Sequence, residues 1–322
     1  MDTRVSGTGS CLDGVELGVG TWAWGDRHVW GYGSTYGADQ VREAFDASIA
    51  GGLRFFDTAE VYGSGESERL LGRFRQASSQ PVRIATKFMP LPWRWRTSDL
   101  LAALRRSLAR LGVPRVDLYQ IHAPLPPRAV TTWIDACIEA VREGLASEIG
   151  VSNCNERQMR AAHDRLSRAG LRLASNQVEY SLLKRRAEWN GVGDACRELN
   201  VRLMAYSPLG MGLLSGAYGA DAPPKGYRRL KYRKALPRLA PLLGLLETLG
   251  RAHGGKSRTE VALNWVICKG ALPIPGAKNA RQAAGNAGAV GWRLTPDEVA
   301  ALDEASLEFS GGRAGRTIRS GV

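Results

Sequence analysis

Short apolar runs rich in β-formers alternate with amphipathic stretches along the chain. They recur at intervals of roughly 25 to 40 residues, the size of a strand–helix unit. Eight runs carry the pattern: VELGVGT (15–21), LRFFDT (53–58), VRIATKF (82–88), VDLYQIH (116–122), SEIGVSN (147–153), ASNQVEY (174–180), VRLMAYS (201–207) and ALPIPG (271–276). The segments between them have helical periodicity. In residues 97–112, Thr97 or Ser98 can cap, Leu100, Leu101, Leu104, Leu108 and Leu111 form one stripe, and Gly112 with Pro114 stops the helix. Gly144 and Gly170 end two further helical patterns. Eight such units predict a closed parallel (β/α)8 barrel, the TIM barrel, as a single domain over 1–322. The interval before the eighth run is long enough for an excursion over about 208–240. The tail, about 308–322, is expected to be mobile or to cover the barrel mouth.

Composition adds limits to this picture. The chain is 44% hydrophobic and 23% charged, ample for a core. No apolar segment near the start resembles a signal peptide, and no stretch is long enough to span a bilayer, so a cytoplasmic protein is expected. Five scattered cysteines without a C-x-x-C pair fit neither a disulfide framework nor a zinc site, and no metal is expected. The net charge of +13 is densest in KGYRRLKYRKALPR, 225–238. That run is read as a solvated basic loop, with contact to an anionic substrate, cofactor or partner as the alternative. No nucleic-acid motif accompanies it, so a nucleic-acid partner is not expected.

In a barrel the carboxyl ends of the strands converge on one mouth. The groups found there are Thr21 and Trp22, Asp57, Lys87, His122, Ser152 and Asn153, Gln177, Tyr206 and Ser207, then Gly276 and Lys278. Asp57, Lys87 and His122 end three successive strands, and Tyr62 lies on the loop after the first of them. A tyrosine hydroxyl is a weak acid, with an ordinary pKa of about 10. A lysine ammonium within reach is expected to lower it, a carboxylate keeps that lysine charged and aimed, and a neutral histidine can orient a carbonyl oxygen. The quartet suits protonation of a carbonyl oxygen while hydride reaches the carbon.

The sequence resembles the aldo-keto reductases over nearly its whole length, through GVGTWAWG, FFDTAEVYGSGESERLLG, IATKF, DLYQIH, IGVSN, NQVEYS, AYSPLGMGLLSG and IPGAKNARQAAGNAG. The resemblance implies NADPH-dependent reduction of an aldehyde or ketone, with Tyr62 as general acid beside Asp57, Lys87 and His122. It implies that NADPH lies across the mouth: Ser152, Asn153 and Gln177 take the carboxamide, Tyr206 stacks on the nicotinamide, and Thr21, Trp22, Asp57 and Gly276 line its path. Ser207, Pro208 and Leu209 are implied at the pyrophosphate, and Lys278, Gln282 and Asn286 at the adenosine end, where Gly285 replaces a usual glutamate. Such a cofactor needs no dinucleotide fingerprint, and no G-x-G-x-x-G opens a helix after a strand here.

Trp24 and Trp93, with Tyr62 and His122, are expected in the substrate pocket. PWRWR (92–96) suggests aromatic walls with cationic edges, suited to an aromatic or anion-bearing aldehyde. The GSGES run is read as the flexible link from the second strand into its helix. A small carbonyl compound is the expected partner, and the chain is expected to be a monomer or weak oligomer. The alternative role is that of a redox-sensing interaction subunit that binds NADP(H) with little turnover.

Overall fold

The computed structural model describes residues 9–219, 222–224, 226–232 and 234–309. Eight strands, β1 (Val19–Gly20), β2 (Phe55–Asp57), β3 (Arg83–Phe88), β4 (Val116–Ile121), β5 (Ala146–Ser152), β6 (Leu173–Glu179), β7 (Arg202–Tyr206) and β8 (Leu272–Ile274), pair in parallel in chain order. The sheet closes on itself, because the Gly18 and Gly20 amides donate to the carbonyls of Pro273 and Pro275 at 3.0 and 2.9 Å. Every run expected to be a strand overlaps one, with β5 and β6 starting one residue earlier. The helices α1 (Ala38–Ala50), α2 (Glu66–Gln76), α3 (Thr97–Leu111), α4 (Val130–Arg142), α5 (Glu156–Ser167) and α6 (Val192–Glu198) each follow the strand of the same number.

After β7 come α7 (Tyr227–Tyr232), α8 (Leu239–Ala252) and α9 (Arg258–Cys268), and after β8 come α10 (Ala280–Ala287) and α11 (Pro296–Ser306). The basic run is thus partly helical rather than a loop throughout. The expected tail lies, from residue 310 onward, outside the described residues. Among the described residues no helix is long and apolar enough to cross a membrane.

The start of α3 differs from the expected cap. Thr97 is already helical, and Asp99 holds the entry instead, accepting from the Trp95 and Arg96 amides at 2.8 and 2.9 Å. A carboxylate there takes two otherwise unpaired donors and meets the positive end of the helix dipole, which outweighs a neutral hydroxyl. At the other end Gly112 adopts φ 64°, as its stop role requires.

Side chains along a strand alternate between its two faces. Phe55, Ala85, Leu118, Met204 and Leu272 point inward and meet in one buried cluster with Leu12, which fills the barrel toward the strands' amino ends. The alternate residues Phe56, Ile84, Phe88, Tyr119 and Ile121 pack outward under the helices. Two positions beyond the inward plug come Asp57, Lys87 and Gln120, and His122 follows two beyond that. The same period that buries the core therefore aims these polar groups at the carboxyl-end mouth.

Candidate active site

A cavity of about 1130 Å³ opens at that mouth. Tyr62, His122, Trp22, Val61 and Met89 wall it where β2, β3 and β4 end, and Ser152, Asn153 and Gln177 line the exits of β5 and β6. From there it runs past Tyr206 and Ser207 to Lys278, Gln282 and Asn286.

Tyr62 reaches the cavity because the chain reverses immediately after it. Gly63, Ser64 and Gly65 all take positive φ, at 55°, 56° and 87°. A Cβ on Gly63 would stand 2.6 Å from the Gly25 carbonyl oxygen, so this turn demands glycine both for its conformation and for its closeness to the preceding loop. GSGES is a tight, specified turn rather than a loose link.

Lys87 is fully buried and does not reach the cavity wall. Its Nζ donates to Asp57 Oδ2, to the Thr58 carbonyl at 2.9 Å and to the Tyr62 hydroxyl at 3.4 Å. Three donors thus find three oxygens, and one of them is the phenol facing the cavity. His122 lies edge-on to the Tyr62 ring with centroids 5.6 Å apart, and Trp22 stacks on that ring with centroids 6.2 Å apart.

Burial works against charge on all three titratable groups, with different results. For Lys87 the attraction of Asp57 and Tyr62 prevails over burial and raises its pKa, so it stays an ammonium. For Tyr62, burial raises the pKa while Lys87 opposes it, and the net direction is upward. The lysine acts in the expected direction, and desolvation of the phenolate outweighs it. Burial, then Lys87, push His122 down to about 3, which leaves a neutral imidazole at physiological pH.

The far walls are tied together by their own polar groups. Asn153, at φ 59°, accepts from the Tyr206 hydroxyl at 3.0 Å and donates to Ser152 Oγ and the His122 carbonyl, both at 3.1 Å. Ser152 Oγ donates to the Gln177 carbonyl at 2.8 Å. At the other end Asn286 donates to the Gly276 carbonyl at 3.2 Å, and Gln282 accepts from the Lys278 amide at 2.9 Å, so both brace the loop after β8. Trp30 meets two cations, with Lys278 Nζ 4.7 Å and the Arg228 guanidinium carbon 5.2 Å from its ring centroid. Burial and then Arg228 lower Lys278 to about 8. Among the described residues neither cation pairs with a carboxylate, and the Trp30 indole N–H finds no acceptor.

Three expected contacts lie elsewhere. Thr21 is buried, its hydroxyl 2.7 Å from Ser67 Oγ and 3.1 Å from the Asp57 carbonyl, so it braces β2 and is not on the cavity wall. Trp24 is fully buried against Phe56 and Phe74, with its N–H on the Ala277 carbonyl at 2.8 Å; its large ring fills the core under α2. Trp93 is 71% exposed and away from the cavity wall. Arg94, between Trp93 and Trp95, turns inward to clasp both oxygens of Glu60 and the Met89 carbonyl, which directs its neighbours outward. Arg94, one of the two cations expected at that edge, is thus neutralised.

Glu60 also accepts from the Met89 amide at 2.8 Å, so this pair joins the Tyr62 loop to the loop after β3. Its side chains are only 14% and 8% exposed, and removing one partner strands a charge. Arg94→Met is expected to destabilise the fold by about 3 kcal/mol, measured by urea unfolding; a change under about 0.5 kcal/mol would contradict the clamp.

Sequence reading overlooked Arg228 and Gln120. Arg228 was inside the run read as solvated, yet it lines the cavity and contacts Trp30 and Tyr218. The alternation along β4 could have singled out Gln120, two residues before His122 and on the same inward face.

Comparison with known proteins agrees with this arrangement. The model of the aldo/keto reductase family matches residues 16–307. A chloroplastic pyridoxal reductase of Arabidopsis thaliana is 40% identical, over 91% of this chain and 83% of its own. An uncharacterised oxidoreductase of Mycobacterium tuberculosis is 35% identical over 95% of both chains. Among solved structures, the glycerol dehydrogenase of Gluconobacter oxydans superposes with a TM-score of 0.80 at 28% identity, over 90% of each chain. An aldo-keto reductase of Klebsiella pneumoniae in complex with NADPH does so with 0.68 at 27%, again over 90% of each.

Proposed function

The chain belongs to the aldo/keto reductase family, and from that premise we propose how its side chains divide the work of reducing a small aromatic aldehyde. The protein is an NADP-dependent oxidoreductase that converts an aldehyde or ketone to the alcohol. When bound, the nicotinamide supplies hydride to the carbonyl carbon. Tyr62 donates the proton to the carbonyl oxygen, Lys87 stabilises the phenolate left behind, and Asp57 holds Lys87 in place. His122, neutral, has a buried Nδ1 without a partner among the described residues. A buried unpaired N–H is rarer than an unpaired acceptor, so its proton is assigned to Nε2, free to hydrogen-bond the carbonyl oxygen.

The cavity supports the cofactor reading in size and in chemistry. Its volume exceeds what a drug-sized ligand needs. The two cations against the Trp30 ring, together with the indole N–H that lacks an acceptor, suit a polyanion. Lys278 and Arg228 would hold phosphate groups, Asn153 and Gln177 the carboxamide, and Tyr206 the face of the nicotinamide. Ser207, Pro208 and Leu209 would contact the pyrophosphate. Gln282 and Asn286 are proposed to act mainly by bracing the adenosine loop. The chain is read as one barrel domain, cytoplasmic, with unpaired cysteines, working as a monomer or weak oligomer.

The observation that carries the reading is the chain of contacts from Asp57 through Lys87 to a phenol on the cavity wall. The substrate end is apolar and aromatic, with Trp22, Val61 and Met89 around Tyr62 and His122, and the nearby Arg94 is occupied by Glu60. Together with the pyridoxal reductase relative, this favours pyridoxal or another uncharged aromatic aldehyde over an anionic one. In a panel assay with NADPH and NADH, kcat/KM is expected to be at least about 10-fold higher for pyridoxal than for its 5′-phosphate, and higher with NADPH. Preference for the phosphorylated aldehyde would overturn the substrate class. Tight NADPH binding without turnover on any carbonyl would return the sensor role.

A further inference from the structure

We propose that Gln120 is a positioning residue for proton transfer: from behind the cavity it holds the Asp57 carboxylate on Lys87 through a second amide donor beside that of Gln177. The inference rests on the catalytic reading above and extends it one layer behind the reacting groups.

Asp57 is almost completely buried, and its two oxygens have different partners. Oδ2 accepts from Lys87. Oδ1 accepts from two amides, Gln120 Nε2 at 3.0 Å and Gln177 Nε2 at 2.9 Å. The two glutamines are not equivalent. Gln177 lines the cavity, where a ligand can draw on it, whereas Gln120 is wholly buried and absent from the wall. If Gln177 were the sole donor to Oδ1, any movement of its amide toward a ligand would loosen the carboxylate that aims Lys87. Gln120, away from the cavity wall, lessens that dependence.

Gln120 is itself oriented. Its Oε1 lies 3.4 Å from Gln177 Nε2 and 3.5 Å from Ser175 Oγ, so its amide oxygen faces donors and its nitrogen faces Asp57. Space for this arrangement comes from β5, where Gly150 presents no side chain. A Cβ there would stand 3.0 Å from Gln120 Cγ and 2.3 Å from Ser175 Oγ. An inward-facing glycine beside two buried polar chains is what a built network needs, since a buried amide without partners destabilises the fold.

The test compares Gln120→Met, which keeps the length but removes the donor, with Gln120→Glu, which can donate only when protonated. Tyr62→Phe serves as the reference. The groups facing Tyr62 are Lys87 from β3, Asp57 from β2 and His122 after β4. With the donor lost, Asp57 draws more strongly on the Lys87 ammonium, and less of that charge reaches the phenol.

Gln120→Met is expected to lower kcat about 10- to 100-fold and to move the alkaline limb of the reduction profile to higher pH. KM and the NADPH Kd, read from cofactor fluorescence, should stay within about threefold. Gln120→Glu should regain activity relative to wild type as the pH falls and the introduced carboxyl takes a proton. An unchanged kcat and alkaline limb in Gln120→Met, or a fall in NADPH affinity matching the fall in kcat, overturns the proposal. If Gln120→Met does not fold, the acid-side recovery of Gln120→Glu decides, and its absence overturns the proposal equally. Failure of the catalytic reading itself would look different, because wild type and Tyr62→Phe would then reduce the aldehyde alike.

Discussion

Tyr62→Phe is expected to reduce carbonyl turnover by about 100- to 10,000-fold, the range for removing a positioned general acid, while NADPH Kd changes less than about threefold. The asymmetry comes from geometry. The substitution removes one oxygen at the cavity wall, the oxygen that Lys87 approaches at 3.4 Å, and leaves the ring's stacking on Trp22 and its edge contact with His122. The proposed cofactor contacts at Asn153, Gln177, Lys278 and Arg228 do not involve that hydroxyl. Single-turnover reduction of an aromatic aldehyde, followed beside a fluorescence titration with NADPH, separates the two quantities. A variant that retains more than about a tenth of wild-type kcat would contradict the role of Tyr62.

Lys87→Met should damage both chemistry and stability. Tyr62 can protonate the carbonyl oxygen only while it holds its own proton, so carbonyl reduction is present below its pKa and lost above it. Burial already raises that pKa and Lys87 opposes the rise. Without the lysine the alkaline limb must move further up, and the phenolate needed for the reverse oxidation becomes harder to form. The kcat for reduction should fall by about 100-fold or more, and alcohol oxidation at alkaline pH should fall further. The same change strands the Asp57 carboxylate in the barrel without its cation, at an expected stability loss of about 3 to 5 kcal/mol. Urea unfolding and paired pH profiles in the two directions test this. Equal losses in both directions, with an unmoved limb, would show that Lys87 does not tune the tyrosine.

Much of the site could be read from sequence because strand alternation is a local property. Knowing that Phe55, Ala85 and Leu118 are core is enough to place Asp57, Lys87 and Gln120 on the same face two residues later. The eight runs, spaced as strand–helix units, pointed to the barrel through an equally local pattern. Loops broke this logic. Trp24 and Trp93 have the same side chain and both lie on a loop after a strand, yet one is fully buried under α2 and the other is 71% exposed. Arg94 and Arg228 both sit in runs of cations; one is neutralised by Glu60 and the other lines the cavity.

The sequence by itself determined the repeat, the inward face of each strand and the identity of the four groups proposed for proton transfer, because these follow from period, chain order and residue chemistry. Only the tertiary structure decided what surrounds those groups. Desolvation of Tyr62, the sharing of Asp57 Oδ1 by Gln120 and Gln177, and the two cations against the Trp30 ring all depend on residues far apart in the chain. Solvent access and hydrogen-bond partnership are properties of three-dimensional neighbourhoods, and barrel closure brings those neighbours together.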